Sequence, residues 1–345
     1  MMAAAVKPPC AALAFLAALA AAPAARAQPA SSLWSRATSP GAREALAARQ
    51  AGEWINLLDQ LPEPRRARLA PERADIDHES LRAEALAHLE RALALRPDDP
   101  RALAAAAHLR ERRNDLDGAA RDATRSIELD PEGPAAQDAR FTLAVVHTWR
   151  GEHPAARDHY LALLRLPIYE QTRSTVLGNL GDEFQALGDM GAAIDSYVAC
   201  VALRPGYALG WLGLAIARDR AHLDPAPDAA TAVRAASDDV LARIRTLRMG
   251  PGFDPGALID ALSSEGVFYV PAYDRFYYQG VAHEAVARAW SAGNEFGVAP
   301  VAAEAEAHRR AARAAWRRYL DGAAPDDPWR GHAEVHLRAL GLGPR

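Results

Sequence analysis

The sequence predicts an all-α fold built of paired helices, and three observations carry that reading. Apolar and small residues recur at helical spacing through most of the chain, in blocks punctuated by glycine, proline and aspartate. Alanine and leucine dominate, while aromatic residues make up only 7%. No long alternating run of valine, isoleucine and threonine marks a strand. With 345 residues, 50% of them hydrophobic, the chain has ample material for a core.

The first segment, 1–27, reads as an export signal. Lys7 supplies a positive start, Cys10 to Ala22 is apolar, and Ala25-Arg26-Ala27 offers small residues for cleavage before Gln28. The expectation is cleavage after Ala27 and a periplasmic or secreted product, with retention as an uncleaved anchor as the alternative. The apolar run is short for a membrane span, so no span is expected once the signal is gone. Loss of Lys7 and Arg26 takes the formal charge from −4 to −6. That mild acidity argues against nucleic acid as a partner. Lys7 is also the only lysine, which removes Schiff-base and P-loop readings from the rest of the chain. Cys200 is then the only cysteine left and reads as a buried structural thiol.

In 28–99, Ser39-Pro40 reads as a cap and first-turn proline, and Gly52-Glu53-Trp54 reads as a turn followed by the start of a second helix. Arginine and proline between Glu63 and Ala74 suggest a linker or a short irregular helix. Asp77 then caps a helix with Leu81, Ala85, Leu89 and Ala92 facing inward.

The clearest block runs from Ser174 to Pro205. Leu177, Leu180, Gly181 and Phe184 share one helical face, Gly188-Asp189 breaks the pattern, and Ala193, Tyr197 and Cys200 resume it. Small residues stand where two helices should approach closely, and large ones where a neighbouring unit should fill the gap. This block resembles the tetratricopeptide repeat, a unit of about 34 residues. Pro100–Gly133, Gln137–Glu170 and the stretch from Ala208 lie against the same pattern, with Trp211, Leu214 and Ala215 on the last. The partner helix of that last unit is placed at Asp228–Leu247. The resemblance implies a right-handed α-solenoid over 100–247 and, as its class of function, protein or peptide binding without catalysis or cofactor.

The stretch 248–272 departs from the pattern. Gly250, Pro251, Gly252, Pro255 and Gly256 break helices, and Gly266–Pro271 reads as extended, so it is expected to be an irregular connector. In 273–345, Phe276, Gly280 and His283, then Ala312, Trp316 and Tyr319, read as a last degenerate pair. A capping helix from Trp329 to Leu340 follows.

In a right-handed stack the first helix of each pair lines the concave wall. The side chains left over for that wall are Arg101, His108 and Glu111; Asp138, Phe141, Val145 and Thr148; Thr175, Asn179, Asp182 and Gln185; and Leu209, Leu212, Ile216 and Asp219. Among them Phe141, Val145, Asn179, Asp182, Gln185, Leu212, Ile216 and Asp219 form the expected peptide- or protein-binding set, with apolar anchors inside a polar rim. The alternatives are that Phe141 and Leu212 pack against the adjoining repeat, that the carboxyl-terminal third folds across the groove, or that the protein is an assembly factor that associates with itself. A lysine-based clamp for a partner's carboxylate is not expected, since only Asn179 matches that set.

His332 and His336 share a helix face and raise the possibility of a zinc enzyme. Ala333 stands where the metalloprotease pattern places its glutamate, and Glu334 points elsewhere, so a solvated terminal helix is the expected setting. His153 and His159 flank Asp158 without a nucleophile. Tyr273, Phe276, Tyr277 and Tyr278 are expected at a packed repeat junction.

Overall fold

Aspartate caps and left-handed turn residues set the helix boundaries. Asp77, Asp99, Asp115 and Asp189 each sit before a helix and accept from a backbone amide of its first turn, at 2.8 Å from Ser80 N, 3.1 Å from Arg101 N, 2.9 Å from Gly118 N and 3.0 Å from Ala192 N. Each satisfies a donor that the helix itself leaves unpaired. The computed structural model describes residues 40–61, 63–247, 255–263, 269–292 and 299–341. The export signal expected at 1–27 and the first three residues of the extended stretch expected at Gly266–Pro271 lie outside the described residues.

In chain order the helices are α1 (Pro40–Asp59), α2 (Glu63–Leu69), α3 (His78–Leu95), α4 (Pro100–Arg112), α5 (Leu116–Leu129), α6 (Pro134–Trp149), α7 (His153–Leu164), α8 (Glu170–Ala186), α9 (Met190–Leu203), α10 (Ala208–Arg220), α11 (Ala226–Leu247), α12 (Ala257–Leu262), α13 (Arg275–Ala292), α14 (Ala302–Gly322) and α15 (Arg330–Ala339). There is no strand among the described residues. The architecture is an all-α, tetratricopeptide-like solenoid of antiparallel pairs. Contacts divide the chain into two units, 1–97 and 98–345.

In the first unit α1 pairs with α3. Gly52 does not make a turn there: α1 runs through it unbroken, against the expectation of a helix start at Glu53. A side chain at Gly52 would lie 2.7 Å from Leu89 Cγ and 2.9 Å from the Ala85 carbonyl, so this glycine lets two helices touch. At the end of the same helix the buried Asp59 takes His78 Nδ1 at 2.7 Å and Arg82 Nε at 2.9 Å. The Arg-Pro segment after it forms α2 and a single 3-10 turn at Pro71–Arg73.

In the second unit α4–α5, α6–α7, α8–α9 and α10–α11 are successive antiparallel pairs, and α5 packs on α6, α7 on α8 and α9 on α10. The residue two past the end of each first helix is left-handed in all four: Asn114 (φ 62°), Gly151 (71°), Gly188 (78°) and His222 (59°). Only glycine holds this conformation without steric cost, and asparagine and histidine are among the side chains found there most often otherwise. Tyr197 of α9 is buried and fills the seam between pairs. A Cβ on Gly181 of α8 would sit 2.7 Å from its ring, and one on Gly213 of α10 would sit 2.4 Å from it.

The expected last pair is α13–α14, where Gly280 faces Trp316 at a distance that leaves no room for a methyl group (2.5 Å). The region expected as an irregular connector contains the short helix α12, whose Leu258 and Leu262 join a core with Leu212, Ile216, Tyr277, Val281, Trp316 and Tyr319. The carboxyl-terminal helices thus close over α10.

Gly181→Ala is expected to lower stability by about 1–3 kcal/mol in denaturant unfolding, because the added Cβ would sit 2.7 Å from the Tyr197 ring, which Gly213 contacts from the next pair. Gly191→Ala, whose Cβ meets nothing closer than Asp189 Oδ1 at 3.6 Å, is expected to be neutral or stabilising by up to about 1 kcal/mol. Equal effects at the two positions would contradict the packing described.

Candidate functional site

The first-helix face of α8 supplies one wall of a cavity of about 330 Å³. Asn179, Asp182 and Gln185, three of the residues expected to bind a partner, line it. Their spacing of three residues along α8 puts them on one stripe. Opposite stand Tyr269, Tyr273 and Asp274 from the segment leading into α13, Tyr278 from the first turn of α13, and Trp329 before α15.

Each polar wall residue is tied to a second element. Asn179 Nδ2 donates to the Tyr160 hydroxyl at 3.0 Å. The hydroxyls of Tyr197 and Tyr278 both donate to Asp182 Oδ1, at 2.5 and 2.9 Å. Gln185 Nε2 donates to the same two phenols, at 2.8 and 3.3 Å. The fully enclosed Arg220 donates to Gln185 Oε1 at 3.3 Å and forms an ion pair with Asp274. Its guanidinium also lies over the rings of Tyr277 and Trp329, at 4.4 and 5.3 Å. Beside them, Glu183 accepts from the Thr148 hydroxyl and meets His153 Nδ1 at 2.8 Å.

Asp182 is open to the cavity itself, yet the cavity is ringed by protein. That enclosure pushes its pKa up to about 6; the two phenols pull the other way, and the like charges of Glu183 and Asp274 add to the rise. Burial and then the charge of Asp182 hold Tyr197 and Tyr278 well above the ordinary phenol range, so both remain neutral donors.

The other expected binding residues lie elsewhere. Leu212 and Ile216 are 0% exposed and belong to the core formed with α12, α13 and α14. They are therefore not anchors facing an open groove: their burial stabilises the fold, by roughly 1.5–3 kcal/mol each. Val145 is buried, and Phe141 packs edge-on against Tyr160 with ring centroids 6.0 Å apart. Asp219 accepts from the Tyr277 hydroxyl and pairs with His336.

His336 corrects another expectation, that of a solvated terminal helix. Its ring stacks on Trp316 at 4.4 Å, its Nδ1 meets Glu284 Oε1 at 2.8 Å, and its Nε2 lies 3.2 Å from both oxygens of Asp219. Burial opposes its protonation, but hydrogen bonds and charge from Asp219 and Glu284 outweigh that and raise its pKa to about 9. In turn, burial pushes the Asp219 pKa up, and His336 and Tyr277 bring it below its ordinary value. His332 lies apart from this pair, against His222 at 4.5 Å. Among the described residues, no group of three His, Cys, Asp or Glu is placed to hold a metal ion.

Tyr207, Arg220, Tyr269, Asp274 and Trp329 were not singled out by sequence as site residues. The aromatic cluster around Tyr277 gave one signal: Tyr277 is in the core, and Tyr273, Phe276 and Tyr278 pack against that core, with Tyr273 and Tyr278 also lining the cavity.

A family model described as tetratricopeptide repeat matches residues 174–207, which hold most of α8 and all of α9. The match covers one helical pair of the tetratricopeptide-like solenoid described above. No curated protein sequence matches it. Among solved structures it is similar to a MamA protein, at 13% identity and a TM-score of 0.44, over 61% of this chain and 98% of that one. It is also similar to PilF of Pseudomonas aeruginosa, at 12% identity and a TM-score of 0.48, over 87% and 98%. A tetratricopeptide repeat protein of Parabacteroides merdae shares 13% identity at a TM-score of 0.38, over 85% and 100%. No described helix is long and apolar enough to cross a membrane.

The raised pKa of His336 links this site to stability. The stabilisation from its charged form is fully present below about pH 6.5, the ordinary value, and is lost as pH rises through about 9. The melting temperature of the native chain is expected to fall across that window more steeply than that of His336→Gln. Parallel curves would contradict the assignment.

Proposed function

We propose that this chain is a non-catalytic adaptor that holds a protein or peptide partner in the cell envelope, with the cavity beside α8 as the point of engagement. One observation carries the reading: Asn179, Asp182 and Gln185 face unfilled space of about 330 Å³, while the neighbouring apolar positions of the same helix row are packed away. A cavity of this size matches one side chain or a short peptide turn rather than a long helix laid along a groove. The partner's remaining contacts would fall on the rim.

The envelope location rests on the signal-like composition of 1–27, with Lys7, the apolar run and Ala25-Arg26-Ala27. The non-catalytic role is supported by the way the polar groups are engaged. His153 is tied to Glu183 and Arg220 to Asp274, each held in an ion pair within the wall.

Affinity capture from an envelope extract tests this, comparing the native chain with Asn179→Arg, which projects a long charged side chain into the cavity. Helical circular dichroism of the variant serves as the folding control. The adaptor reading expects a partner that the native chain retains and the variant loses. Retention of the same partners by both would contradict it. A mass that rises with concentration, with no other protein captured, would point to self-association instead.

A further inference from the structure

The carboxylates on the cavity wall are not equally satisfied. Glu183 has Thr148 and His153, and Asp274 has Arg220. Asp327 accepts on both oxygens, from the Tyr319 hydroxyl and Trp329 N at 2.8 Å on one and from the Tyr273 hydroxyl at 2.8 Å on the other. Asp182 differs. Both its donors are neutral phenols, and both fall on Oδ1, so among the described residues no hydrogen bond reaches Oδ2. Glu183 and Asp274 place further negative charge near it. Asp182 opens onto the cavity with Oδ2 unpartnered and no positive group bonded to it among the described residues, so a cation beside it would meet a free acceptor.

A second observation points to the same kind of occupant. Tyr269 lines the cavity, and its buried hydroxyl has no hydrogen-bond partner among the described residues. Tyr207, Tyr278 and Trp329 add aromatic surface to the wall, and ring faces attract cations. Arg220, the cation already present, is committed to Asp274, Gln185 and two rings, and does not neutralise Asp182.

We propose that the cavity receives the side-chain ammonium of a lysine carried by a partner protein, with Asp182 Oδ2 and the Tyr269 hydroxyl as its acceptors. Lysine fits better than arginine. A guanidinium binds a carboxylate best through both oxygens, and here Oδ1 is already occupied by two phenols; an ammonium is a point charge that one oxygen can hold. Its aliphatic stem would run along the aromatic wall. The sequence holds a single lysine, Lys7, so another protein is the source that the proposal names. This inference rests on the adaptor reading and names the chemistry that the adaptor recognises.

The test is a calorimetric titration of the native chain with a blocked Gly-Lys-Gly peptide, its Nε-acetylated form, its arginine counterpart and n-butylammonium. Saturable binding of the lysine peptide is expected. The acetylated and arginine peptides, and the lysine peptide with Asp182→Asn, should bind at least about ten-fold more weakly, the loss of one charge-assisted contact. Because Asp182→Asn could loosen Tyr197 and Tyr278, Tyr269→Phe is the second variant. It removes only an unpartnered hydroxyl and should weaken binding several-fold with an unchanged melting temperature.

The proposal is overturned if the acetylated peptide binds as well as the free one, if both variants bind normally, or if no saturable binding is seen. Butylammonium binding as tightly as the peptide would also count against it, because the site would then take free amines. Failure here leaves the adaptor reading intact provided that Asn179→Arg still loses a captured partner. If the native chain captures nothing while the lysine peptide binds, the adaptor reading fails and the ammonium site stands.

Discussion

The ring of Tyr197, lodged between Gly181 of one helical pair and Gly213 of the next, is the contact on which the rest of the second unit depends. Antiparallel helix pairs have one apolar stripe each and cannot bury it alone, so successive pairs must share side chains. Tyr197 does this by size, filling space that glycine on both neighbours leaves open. Its hydroxyl does something further: it reaches Asp182 at 2.5 Å and accepts from Gln185 at 2.8 Å. One residue therefore serves as the packing wedge between pairs and as a fixed point of the cavity wall. The wall is rigid for the same reason that the stack is stable.

The carboxyl-terminal helices extend this logic. In an open stack, α10 would leave Leu212 and Ile216 facing the groove, and an exposed patch of that kind invites association. Here α12, α13 and α14 cover them, and Tyr277, Trp316 and Tyr319 complete the core. Charge follows packing. Asp219, buried by this closure, is compensated by His336, and Arg220 by Asp274. What remains uncovered is the polar stripe of α8, and within it Asp182.

Much of the fold was legible because it depends on local chemistry. Asp77 as a cap, the break at Gly188-Asp189, and the helical faces that carry Gly181, Tyr197, Gly280 and Trp316 all follow from residue type and spacing, whereas the seating of each ring on a glycine is seen only in the structure. Gly52 was misread because a glycine that ends a helix and a glycine that admits a neighbour have the same local sequence, and only the contact with Leu89 tells them apart. The site was legible in part. Asn179, Asp182 and Gln185, placed on the inner wall by helical phase together with the repeat resemblance, do line the cavity. Leu212 and Ile216 occupy the same phase but meet helices that start tens of residues later, and no periodicity encodes that. His336 meets Asp219 across 117 residues, a pairing equally invisible to spacing.

The central claim is that packing and cavity share Tyr197, so its hydroxyl and the Asp182 carboxylate should be energetically coupled. A double-mutant cycle of Tyr197→Phe and Asp182→Asn, read by denaturant unfolding, measures this directly. The account predicts a coupling energy of about 1 kcal/mol or more between the two sites, as for residues in one buried hydrogen-bond network. Additive effects of the two substitutions would show that the stack stands without the contact and would contradict it.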